Sequence, residues 1–180
     1  MASLTARMTG AMQADVKTFQ EIEADPTAIN QAVMVIVIAG VAALIGNIFR
    51  IGITHGVMML VINLIGYALW TVLVVLIGTK VMPEPATKAD FNEAFRVIGF
   101  TASPGVFNVL AIVPFLGPLI SFFVWIWMVV VGVVAVREVL DYSNTGRAII
   151  VCVIAGLISW IVSFFVLVPI LIGSAIVSAL

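Results

Sequence analysis

Side chains able to do chemistry are few in this sequence, and most stand at the ends of apolar runs. His55 is the only histidine and Cys152 the only cysteine. Multi-histidine metal centres and intrachain disulfides are therefore excluded. Glu138 and Asp141, three apart, resemble a carboxylate pair, but no nucleophile, base or metal ligand accompanies them. With Arg137 and Arg147 they read as the solvated end of a helix. Cys152 reads as a small apolar core residue, and His55, between Gly52 and Gly56, as an interfacial loop residue. No catalytic constellation emerges, so the chain reads as a non-enzyme with no cofactor and no metal site.

The densest polar stretch runs from Pro83 to Arg96. Two prolines break the preceding helix, and Thr87 with Asp90 looks like a capping pair. Phe91, Phe95 and Ile98 share one helical face, and Glu93 is spaced to pair with Arg96. This segment reads either as an amphipathic lead-in resting on a membrane or as a surface for a cytosolic partner. Phe91, Phe95, Arg96, Pro104, Arg137 and Glu138 are the candidate partner contacts. Further on, Pro104 leaves the carbonyl of Phe100 without its helical donor, and Thr101 and Ser103 are placed to satisfy freed backbone groups. Asn47, Asn63 and Asn108 interrupt apolar runs. With Thr101 and Ser103 they are candidate interhelical polar contacts, since an amide in hydrocarbon needs a partner. A polar pathway is the other reading of these amides. Nothing ionisable lies deep in any run, which argues against ion-coupled transport.

The elements that carry these residues are membrane helices. The chain is 63% hydrophobic and only 9% charged, with a mean hydropathy of +1.29. Soluble domains average about 25% charged residues, so lipid is the solvent that suits this composition. A net charge of −1 and the lack of a basic patch exclude nucleic acid as a partner. Five apolar runs are expected to cross the bilayer: Ala32 to Phe49, Gly56 to Thr79, Val97 to Leu116, Pro118 to Val136, and a run from Arg147 at least to Val168. Pro169 is expected to kink or end the last one. Pro114 to Pro118 is expected to form a tight turn, making its flanking spans an antiparallel hairpin.

Before these runs, Leu4, Met8, Met12, Val16, Phe19 and Ile22 recur at steps of three and four. One amphipathic helix over residues 3–24 is expected, lying in the headgroup layer and ended by Asp25-Pro26. Residues 1–30 hold four acids and no apolar run, so the start is not read as a signal peptide. The fold class is thus all-α: a polytopic bundle of about five spans (31–180) behind a cytoplasmic segment (1–30). Arg7, Lys17, Lys80, Lys88, Arg96, Arg137 and Arg147 fall on one side, against Arg50 alone on the other. The positive-inside rule then places the N-terminus in the cytoplasm and the C-terminus outside. Phe122, Phe123, Trp125 and Trp127 would form an aromatic belt near the outer end of the fourth span.

Three segments carry a resemblance to a known family: Phe19 to Pro26; Phe91 to Pro104, with its series Phe95, Arg96, Gly99 and Pro104; and Gly132 to Leu140, followed by Thr145 to Ala148. Together with the spans between them they resemble the Yip1-domain family, in the form of its compact bacterial members. The resemblance implies a five-span bundle with a cytoplasmic N-terminus, in a plasma membrane if the source is bacterial. The resemblance further implies that eukaryotic members associate with small Rab-type GTPases in vesicle traffic and carry a longer N-terminal region with an acidic-aromatic signature. About 30 residues without that signature stand here, which argues against GTPase binding. The expected partners are membrane lipid and other membrane proteins, or a second copy. The expected role is a scaffold, adaptor or accessory subunit; the rival is a small channel or transporter near the Pro104 break.

Overall fold

The computed structural model describes residues 2–179, with side chains to Phe165. The fold is an all-α bundle, and four of its helical stretches are long and apolar enough to cross a membrane: Ala28–Val81, Phe91–Ile112, Gly117–Val139 and Thr145–Phe165.

Two short helices come first, α1 (Leu4–Met12) and α2 (Val16–Ala24). Ser3 caps the first and Asp15 the second, each accepting a backbone N–H from three residues on. Between them Ala14 takes a left-handed conformation (φ 54°). The single helix expected over 3–24 is therefore two helices folded into a hairpin. Nor does the pair lie free on a surface. Ala11, Phe19 and Ile22 are fully buried against the bundle.

Helix α3 (Ala28–Leu76) ends in a π-helical turn, Ile77–Val81. It is not one rod. Gly52 has φ 71° and ψ 167°, a conformation open mainly to glycine. The chain folds back there: Leu60 packs over Gly40, and Leu44 over Gly56. The two arms are thus antiparallel, and His55 sits exposed at the apex.

Helix α4 (Phe91–Phe100) is the centre of the molecule. Every residue from Ala94 to Gly105 is buried. Asp90 and Glu93 form a full capping box that begins the helix at Phe91, so the expected lead-in and the start of the apolar run expected from Val97 are one helix. Alanines of the first α3 arm let α4 and the segment after it come close, Ala32 against Gly99 and Ala39 against Gly105. Beyond Thr101 the α-helix becomes a ten-residue 3-10 helix, Ser103–Ile112. Runs of that length are unusual; here Pro104 removes a donor and Ser103 Oγ satisfies the carbonyl of Phe100 instead, at 2.7 Å. The 3-10 segment also presses the carbonyl of Asn108 against Gly46, where a Cβ would overlap it.

A turn through Phe115 (φ 65°) leads into α5 (Gly117–Val139), and Asp141 (φ 51°) turns the chain into α6 (Thr145–Ala179). Pro169 lies inside α6, where a kink or stop was expected; Leu180 lies outside the described residues. Outward-facing surfaces of α3, α5 and α6 are apolar, with Phe49, Ile65, Trp125, Leu157 and Trp160 all exposed.

The candidate functional site at the polar end

Nearly all the charged groups gather at the end of the bundle where α1 and α2 dock. Arg7 is at its heart, its side chain only 2% exposed. Nη1 donates to Gln31 at 2.9 Å; Nη2 donates to Asp25 at 2.7 Å and to Glu21 at 3.0 Å. These bonds tie α1 to α2 and to the first turn of α3. Asp25 also accepts from the hydroxyl and the N–H of Thr27. Those bonds, then the one from Arg7, hold its carboxyl down to about 2.

Arg96 makes the second tie. It is 7% exposed, and Nη2 donates to the backbone carbonyl of Glu23 at 2.6 Å. The i, i+3 pairing expected with Glu93 does not form, because the Glu93 carboxylate accepts from the N–H of Asp90 in the capping box. Gln20 donates to Glu138 at 3.3 Å, joining α2 to α5. The Glu23 carboxyl faces Asp141, Glu93, Glu138 and Arg96. Burial, reinforced by those carboxylates and opposed by Arg96, pushes it up to about 7.

A third set of ties closes the connecting loops. Tyr142 Oη donates to the carbonyl of Met82 at 2.8 Å and lies 3.3 Å from that of Gly78, capping the end of the second α3 arm. The Thr87 hydroxyl accepts from the N–H of Glu84 and donates to the carbonyl of Leu140. Glu84 accepts from the N–H of Ser143 and pairs with Arg147 at 3.2 Å.

Of the six residues marked for partner contact, Phe95, Arg96 and Pro104 lie inside the bundle. Their side chains serve its packing, because α4 and the start of the 3-10 helix after it are central and not an edge. Phe91, stacked on Phe95 with centroids 5.6 Å apart, stays 39% exposed. Arg137 remains reachable, with Glu138 less so. Among the polar candidates, Thr101 and Ser103 are buried and donate to carbonyls of their own helix. Asn47 donates to Ala43 in its own turn and accepts from Arg50. Asn47 and Asn63 line one cavity of about 180 Å³ between the α3 arms; Asn108 is not on it. A second cavity of about 350 Å³, lined by Arg50, Phe49 and Phe115, opens at the other end of the bundle, near the Gly52 and Phe115 turns.

Arg7, Tyr142 and Thr87 were not legible as joints. Arg7 counts only as a positive charge in the sequence, and its partners are 14 to 24 residues away. No group of three or more His, Cys, Asp or Glu is placed to hold a metal ion among the described residues.

The three segments that carried the resemblance therefore meet in space. Residues 19–26 receive Arg96 from the second segment and bond Glu138 of the third. The chain matches the Yip1 domain over residues 10–167. It belongs to the Yip1 domain family. Searches of curated proteins and of solved structures each return no match. Within this Yip1 domain the matched region takes in every tie just described except those made by Arg7 from α1. The polar end is a structural clasp of the domain, tying α2 to α4 and α5.

Proposed function

We propose that this Yip1-domain protein is a non-enzymatic membrane scaffold or accessory subunit, crossing the bilayer five times. The antiparallel arms meeting at Gly52 support counting the long α3 stretch as two crossings. With the lysines and arginines massed at the other end, the N-terminus is cytoplasmic and the C-terminus outside. One observation carries the functional reading. The buried cations of the polar end are spent on internal ties, which leaves a rigid rim with Phe91 and Arg137 exposed beside a sheath of apolar surface. Such a body suits holding other membrane proteins, or a second copy, in place.

A photo-crosslinking residue at Phe91, in the full chain in its native membrane, tests this. A discrete, stoichiometric adduct is expected, absent when the crosslinker sits at Asn63. Adducts of lipid alone at both positions contradict the reading. A small channel is the second reading, and the shared cavity of Asn47 and Asn63 favours it. Flux through reconstituted vesicles that Asn63→Ala abolishes would establish it over the scaffold.

A further inference from the structure

The N-terminal hairpin reaches far down the side of the bundle. At its turn, the Trp127 indole N–H donates to the carbonyl of Met12 at 2.8 Å. Higher up, Gln20 donates to Glu138. Trp127 and Glu138 are eleven residues apart on α5, about 16 Å along the helix axis. All of α5 is about 34 Å long, little more than the ~30 Å of a hydrocarbon core. The hairpin turn therefore stands near mid-height of a helix whose surroundings at that level are apolar, with Trp125, Val129 and Val130 exposed.

The outer surface of the hairpin does not match that level. Gln13, Asp15 and Lys17 are exposed. Asp15 cannot easily shed its charge, because it caps α2, and the bond from the Thr18 hydroxyl holds its carboxyl below the usual range. Lys17 makes no ion pair among the described residues. Ionised groups facing hydrocarbon are costly, and among the described residues no other part covers these, which stay exposed.

We propose that the headgroups and water of the leaflet at the N-terminal end descend along α1 and α2 to the level of Trp127, thinning the bilayer on that one face to roughly half its usual ~30 Å. The occupant of the polar hairpin face is then phospholipid headgroup, with Lys17 suited to a phosphate and Gln13 to ester carbonyls. Exposed Trp125 and Trp127 stand at this level, where a lowered headgroup boundary places tryptophans. The α6 face keeps full thickness: Leu157, a comparable distance from the polar end, is exposed and apolar. A one-sided step of this kind is an action on the lipid itself, and it draws the protein toward thin or strained bilayer.

Spin labels on the full chain decide the matter. In a Cys152→Ser background, Gln13→Cys, Lys17→Cys and Leu157→Cys are labelled and reconstituted in phosphatidylcholine–phosphatidylglycerol vesicles. The labels at 13 and 17 are expected to collide with a water-soluble nickel chelate at least fivefold more often than the label at 157, which should meet oxygen instead. Labels at 13 and 17 as lipid-immersed as the one at 157 overturn the proposal. Labels shielded from both reagents overturn it too, since protein would then cover the turn. The Leu157 label separates this failure from failure of the membrane-spanning reading, because it reports the depth of α6 independently.

Discussion

Replacing Glu23 by Gln should make the protein more stable at pH 8 and change it much less near pH 5. The Glu23 carboxyl is half-buried among Glu93, Glu138 and Asp141, and burial with those charges raises it from 4.5 to about 7. A carboxyl raised on folding holds its proton in the native state where the unfolded chain has lost it. Stability therefore falls as pH rises from about 4.5 to about 7 and is level above that. The full interval is worth about 3 kcal/mol at ~1.36 kcal/mol per pH unit. Glu23 keeps some contact with water, and screening reduces this to about 1–2 kcal/mol. Glutamine keeps the shape and removes the charge. Thermal unfolding in nanodiscs, followed from pH 5 to pH 8, reads the difference. The wild type should lose stability across that range and Glu23→Gln should lose less, ending above the wild type at pH 8. A variant that is less stable than the wild type at pH 8, or that keeps the same slope, would refute the reasoning.

Other perturbations follow from the same contacts. Arg7→Met keeps the buried stem but removes three charge-assisted hydrogen bonds; a loss of about 2–3 kcal/mol and faster proteolysis within residues 4–24 are expected in nanodiscs. Ser103→Ala strips the carbonyl of Phe100 of its donor, at a cost of about 1–2 kcal/mol, read as a lower unfolding temperature. Gly46→Val drives a side chain into the carbonyl of Asn108, separating the first α3 arm from the 3-10 segment; about 2–3 kcal/mol is expected, with Gly66→Ala, which meets no neighbour, as the near-neutral control.

The long apolar helices were legible because runs of bilayer length are bounded by Lys80, Arg137 and Arg147, and a helix satisfies its own backbone groups within one segment in lipid. The apolar run begins at Val97, but the helix that carries it begins at Phe91, where Asp90 and Glu93 set the cap. The break in the N-terminal helix was hidden because Met8, Met12 and Val16 keep helical spacing straight through the turn. Asp15 followed by Thr18 was the local clue to a second cap. The clasp itself lay out of reach. Arg96 meets Glu23 across 73 residues and Gln20 meets Glu138 across 118, and no spacing rule connects such positions. Burial of Phe95, Arg96 and Pro104 has the same origin: an amphipathic lead-in and a central helix share one local pattern, and only packing separates them.

Docking of the N-terminal hairpin as an integral part of the bundle is the point on which the polar clasp depends. It is tested most directly by joining α2 to α5. With Cys152→Ser as background, Gln20→Cys and Glu138→Cys place two thiols where the side chains now bond at 3.3 Å. A short bis-maleimide should link them within one chain, rapidly and nearly completely, in intact membranes. Linking between chains only, or none while each thiol still reacts singly, would contradict the docked arrangement.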